Sequence, residues 1–174
     1  MIINTHIEKK IKTDYFFIEG FLDIDSSYFI KKIEIGCLEK NNMSNKTNIK
    51  GGMTGWNYFN SDKKFLSVAN VFINYVDENV DLPKYILKDS WGFSLEKNNI
   101  KKTHTHLPCL WSGVLYLNSH QQILNFPEIN KKVKPEKGKF ALFSSFLKHG
   151  CVENSSKKIR WGISFNFGYG DNYF

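Results

Sequence analysis

From about Pro83 onward the chain breaks into short runs of β-forming residues separated by turn residues, and no other feature narrows its fold so far. The runs are about Tyr85 to Leu95, Lys101 to His106, Trp111 to Asn118, Gln122 to Phe126, Lys139 to Phe146, Gly150 to Glu153 and Ile159 to Phe167. Short strands joined by short connections pair antiparallel. Seven or eight of them are expected to close into a jelly roll.

The first part of the chain has a different period. Asp25 or Ser26 is suited to cap a helix to about Glu39, and Ser61 to cap another through about Val76. In the second, Phe65, Val68, Ala69, Phe72, Ile73 and Val76 recur at intervals of three and four, an apolar face that needs a sheet to cover it. The one loose stretch is roughly Lys40 to Asn57, rich in Asn, Gly and Lys. Helices followed by strands predict an α+β chain, mainly β, with the N-terminal helices packed on one face of the jelly roll. At 174 residues we expect one domain over residues 1–174, helical over about 1–80 and jelly-roll over about 83–170.

Composition excludes some classes. No apolar run approaches the roughly 20 residues that cross a bilayer, and the N-terminus MIINTHIEKKIK has no signal-peptide pattern, so the expectation is a cytoplasmic protein with no membrane partner. Cys37, Cys109 and Cys151 are an odd, widely spaced set that fits reduced thiols. The net charge of +7 is carried by 23 scattered lysines and a single arginine, alongside abundant Asn and Ile, as an AT-rich coding sequence produces. Specific nucleic-acid readers use arginine forks, so a nucleic-acid partner is not expected. Against that background Arg160 stands out as a position where lysine does not serve.

Alternate residues of a strand share a face, so His104 and His106 project together while Thr103 and Thr105 point away. Two neutral imidazoles so placed supply adjacent coordination positions to a metal ion. A third ligand must come from elsewhere, and His149 ends the apolar run KFALFSSFLKH 43 residues after His106. On the last strand Arg160, Gly162, Ser164 and Asn166 share one face, and Trp161, Ile163, Phe165 and Phe167 the other. With ENSSKK as a hairpin turn, a register pairing His149 with Gly162 would aim His149 and Arg160 into one interior, whereas a one-residue slip would separate them. A buried guanidinium requires an anion, and its planar fork matches a carboxylate.

The stretches HTHLPCLWSGVLYL, GKFALFSSFLKHGCV and RWGISFN resemble the 2-oxoglutarate- and iron(II)-dependent oxygenases of phages and marine bacteria, over about Trp91 to Asn166. Their pattern is H-x-H, S-G-x-x-Y-L, a distal H and R-x-x-x-S-F-N. The resemblance implies a double-stranded β-helix in which His104, His106 and His149 hold Fe(II). It also implies that Arg160, with Tyr116 and Ser164, contacts 2-oxoglutarate as cosubstrate beside O2. His106 stands where the broader superfamily has Asp or Glu. The implied reaction hydroxylates a C–H bond while 2-oxoglutarate becomes succinate and carbon dioxide, in a bacterial or phage-infected cell. The prime substrate is open, with a protein or peptide side chain preferred, and so is the oligomeric state.

Blander readings apply to other residues. His6 and His120 read as satisfied polar side chains, Trp91, Trp111 and Trp161 as core, and Ser112 and Gly113 equally as strand packing. Three other functions compete. A closed zinc site could add Cys109 or Cys151 to the histidines, a cupin-like three-histidine dioxygenase would work without 2-oxoglutarate, and a jelly-roll binding module would not be catalytic.

Overall fold

The computed structural model describes residues 14–39, 51–79 and 85–170. In chain order these form β1 (Phe17–Phe21), α1 (Ser26–Leu38), β2 (Gly52–Met53), α2 (Lys63–Asn79), β3 (Tyr85–Leu95), β4 (Lys101–His104), β5 (Trp111–Tyr116) and β6 (Leu124–Phe126). A 3-10 turn (Pro127–Ile129), β7 (Lys131–Val133), β8 (Lys139–Ser144), β9 (His149–Cys151) and β10 (Arg160–Tyr169) complete them. His6 and most of the loose stretch from Lys40 lie outside the described residues, although the end of that stretch contributes β2.

Helix α1 begins where expected, with the Asp25 carboxylate accepting from the Tyr28 amide at 3.1 Å. Helix α2 begins one residue later than expected. Asp62, not Ser61, accepts from the Phe65 amide at 3.0 Å, because a carboxylate both caps the turn and complements the helix dipole. Asp62 also accepts the Tyr28 hydroxyl at 2.7 Å, which ties the two helix starts together. No helix among the described residues is long and apolar enough to cross a membrane.

The strands form two antiparallel sheets, one ordered β1-β8-β5-β10-β3-β2 and the other β4-β9-β6-β7. Central strand β10 shows the alternation expected of it. Ile163, Phe165 and Phe167 join Phe29, Phe65, Phe72 and Val76 in a core under the helices. Phe72 stacks on Phe165 with ring centroids 5.1 Å apart. Gly113, opposite Phe165, leaves room for that ring, since a Cβ there would lie 2.2 Å from it. The other face of the sheet meets the four-stranded sheet across Phe93, Tyr116, Leu124, Phe126, Phe143 and Leu147. The fold is therefore mainly β, with antiparallel sheets and two helices on one face.

Two expectations need correction. Strands β1, β2 and β7 were not expected; β2 and β7 have only two or three residues, and β1 has no fully buried residue to mark an inward face. The supposed hairpin between β9 and β10 does not exist, and His149 does not pair with Gly162. His149 lies opposite His104, and Gly162 opposite Tyr116 and Phe93, in the other sheet. The connection crosses between sheets and is held by Asn154, which donates to the Leu95 carbonyl at 3.0 Å.

Phe165 bears on both the helices and the sheet, so Phe165→Ala should cost about 3–5 kcal/mol. Urea unfolding should show this as a lowered midpoint with little change in slope.

Candidate metal centre

The register that places His104 opposite His149 brings two imidazoles from adjacent strands to one point, with ring centroids 4.6 Å apart. His106 follows in the loop after β4, where its backbone amide donates to the Ser145 carbonyl at 2.8 Å. Its ring lies 4.9 Å from that of His104 and 5.0 Å from that of His149. One nitrogen from each of the three lies within 4.8 Å of the others. Nitrogens about 2.1 Å from a shared ion sit about 3 Å apart, so small ring rotations suffice for one metal to touch all three.

Backbone carbonyls set the tautomers. The Nδ1 of His104 lies 2.6 Å from the Lys102 carbonyl, and the Nδ1 of His149 lies 2.9 Å from the Leu147 carbonyl. A carbonyl only accepts, so each Nδ1 carries the proton and each Nε2 keeps its lone pair for a metal. His149 is fully buried, with Phe143 at 4.7 Å and Phe126 at 5.4 Å between ring centroids. Burial brings His104 down to about 4 and His106 to about 2, and holds His149 well below the usual range. The charge of Lys101 pushes all three further the same way. The imidazoles are thus neutral at pH 7, as ligation requires.

Arg160, at the start of β10 in the other sheet, is 1% exposed. One guanidinium nitrogen donates to the Gln122 carbonyl at 2.8 Å, and the group lies between the rings of Phe93 and Tyr116 at 5.5 and 5.6 Å. Among the described residues it forms no ion pair, and its Nε has no hydrogen-bond partner. The buried hydroxyls of Tyr116 and Ser164 are unpartnered as well. The guanidinium, with the Tyr116 ring 5.6 Å away, is a buried cation with an unused donor and is suited to an anion with several acceptor oxygens.

Residues not singled out beforehand complete the site. Lys101 is 6% exposed and lines the same cavity as His104 and His106. Burial pushes its amine down to about 8, which leaves it mostly charged at pH 7. Strict alternation would put Lys101 on the face of Thr103, but the pairing of β4 with β9 shifts between Lys101 and His104 and turns both inward. Gly150 allows this close approach, since a Cβ there would meet the Lys101 carbonyl at 2.9 Å. Trp91, expected in the core, is buried but lies on the cavity wall 5.9 Å from the His106 ring. Asp89 is on that wall too, raised to about 6 by burial, and accepts from Asn166 at 2.6 Å. The cavity is about 320 Å³ and its mouth carries Met53, Trp56 and Leu107.

Several residues are structural. Ser112 donates to Asn166 at 2.7 Å and lies 2.7 Å from the Ser145 hydroxyl. His120 has both nitrogens satisfied, by the Gln122 amide and the Lys158 carbonyl, each at 3.0 Å. Neither Cys109 nor Cys151 belongs to the histidine cluster.

No family model matches the sequence, and no curated protein matches it. The fold does have relatives among solved structures. The viral collagen prolyl hydroxylase of Paramecium bursaria Chlorella virus-1, in complex with 2-oxoglutarate, aligns with a TM-score of 0.66 at 18% identity, over 90% of this chain and 96% of that one. A prolyl-4-hydroxylase from Pseudomonas putida aligns at 0.68 and 12% identity, over 88% and 92%. HygX from Streptomyces hygroscopicus, with nickel and 2-oxoglutarate bound, aligns at 0.65 and 13% identity, over 92% and 84%. The chain has the fold of the 2-oxoglutarate–iron(II) oxygenases.

The lowered histidines make the metal-free protein acid-sensitive. Below the ordinary histidine value of 6.5 the unfolded chain takes up protons that the folded state refuses, so stability falls as pH falls from 6.5 toward 4. Asp89 acts in the opposite sense, as one group against three. The urea midpoint of the metal-free protein should drop between pH 6.5 and 5, and His106→Gln should flatten that drop.

Proposed function

We propose that the protein is a 2-oxoglutarate- and iron(II)-dependent oxygenase on a double-stranded β-helix scaffold, hydroxylating a protein or peptide side chain. The observation that carries this reading is three converging neutral imidazoles, together with a buried guanidinium that has no carboxylate partner among the described residues.

His104, His106 and His149 would hold the iron. Their fit rests on the two carbonyl-oriented Nδ1 atoms and on burial that keeps the rings unprotonated. Arg160 would take the far carboxylate of the cosubstrate, and Tyr116 and Ser164, whose buried hydroxyls are unpartnered among the described residues, would contact it elsewhere. When bound, iron and 2-oxoglutarate supply the oxidising chemistry, with O2 giving one oxygen atom to the substrate and one to succinate. Phe126 and Phe143 pack against His149 and keep water from its side of the site, while the cavity mouth at Trp56 and Leu107 admits the substrate.

The peptide substrate is supported by neighbours that include a collagen prolyl hydroxylase and a prolyl hydroxylase in complex with a hypoxia-inducible-factor peptide. A three-histidine dioxygenase working without 2-oxoglutarate leaves Arg160 unexplained. A structural zinc site is disfavoured by the absence of either cysteine from the cluster. The three free cysteines are compatible with a reducing compartment.

Anaerobic addition of iron(II) and 2-oxoglutarate should give the weak visible charge-transfer band of a chelated keto acid. Absence of both the band and succinate formation in air would sink the proposal. Arg160→Lys loses the bidentate fork and should weaken 2-oxoglutarate binding by about tenfold or more, with iron affinity nearly unchanged.

A further inference from the structure

Lys101 is a buried charge to which the reading above gives no task. It is 6% exposed, and among the described residues it has no ion pair and no side-chain hydrogen bond. Its ammonium lies 5.9 Å from the centroid of Phe93, the ring whose centroid is also 5.5 Å from the Arg160 guanidinium. Two cations thus converge on one phenyl ring. The acid on the cavity wall, Asp89, is engaged by Asn166 and not by either of them. A phenyl face offsets only part of the cost of removing a cation from water, and two like charges held together raise that cost. Such a pair is intelligible if an anionic ligand completes it.

The two cations also differ in position. Arg160 is rooted on β10, beside Gln122 and Tyr116. Lys101 lines the open cavity together with His104 and His106, and of all charged groups it bears most on each of the three imidazoles. One cation therefore lines the cavity of the three histidines, the other lies beside Gln122 and Tyr116, and the Phe93 ring stands near both. We infer that Lys101 is a second cationic contact for the cosubstrate, at its metal-proximal end, so that the site is built for a ligand with two separated negative charges. This rests on the function proposed above. The three histidines bring no negative charge of their own and Asp89 is engaged by Asn166, so a carboxylate of the ligand would balance the positive charge at the metal and Lys101.

The test uses manganese(II)-loaded protein at pH 7, which binds without turnover, titrated with 2-oxoglutarate by calorimetry, with manganese affinity measured separately before cosubstrate is added. Lys101→Met, a neutral chain of similar length, should weaken 2-oxoglutarate binding at least tenfold. The same change should leave manganese binding unchanged or tighter, because a cation beside the dication has been removed, and should not lower the unfolding midpoint of the metal-free protein. Lys101→Arg should recover part of the cosubstrate affinity. If wild type binds 2-oxoglutarate and Lys101→Met binds it equally well, the inference fails while the proposed function stands. If wild type binds none, the proposed function fails and takes this inference with it. Parallel loss of manganese and 2-oxoglutarate affinity would mean a merely structural lysine and would overturn the inference; Lys101→Gln is read by the same criteria should the Met variant not fold.

Discussion

Strand β10 is covered on both faces, and the rest of the structure depends on that double burial. Its odd-numbered side chains Ile163, Phe165 and Phe167 anchor the helices to the six-stranded sheet. Its even-numbered residues Arg160, Gly162, Ser164 and Asn166 line the space between the sheets, and all four are buried. A period of two thus gives one strand an apolar half that stabilises the fold and a polar half that shapes the site. The absence of a side chain at Gly162 makes room for the Phe93 ring, which with Tyr116 flanks Arg160.

The histidines depend on a second pairing, in the opposite sheet. The β4–β9 ladder sets His104 against His149, and its irregularity turns Lys101 inward as well. Burial there has two consequences that work together. It keeps the imidazoles neutral and available to a metal, and it makes the unpaired cations Lys101 and Arg160 costly in the absence of an anion. Both cations gain from an occupant that brings negative charge.

Much of this was legible in the sequence because it follows from local periodicity. The strand runs after Pro83, the apolar face of α2 and the two faces of β10 are all patterns within one element. The grouping of His104 with His106 is of the same kind. Arg160 was conspicuous because lysine is the default cation of this chain. Lys101 was invisible for the same reason, one lysine among 23, and a strand irregularity moved it to the face that alternation denied it.

Alternation and composition by themselves determined which residues could face an interior and which chemistry they would bring. Only the tertiary structure decided which interior, and with which partners. It placed His149 across from His104 and not across from Gly162, put β9 and β10 in different sheets, and left Arg160, Tyr116 and Ser164 with buried polar atoms that have no partner among the described residues. The reason is physical. Side-chain direction repeats every two residues and can be read along a strand, whereas sheet membership and register arise from packing summed over strands far apart in the chain, where a shift of one residue exchanges inside for outside.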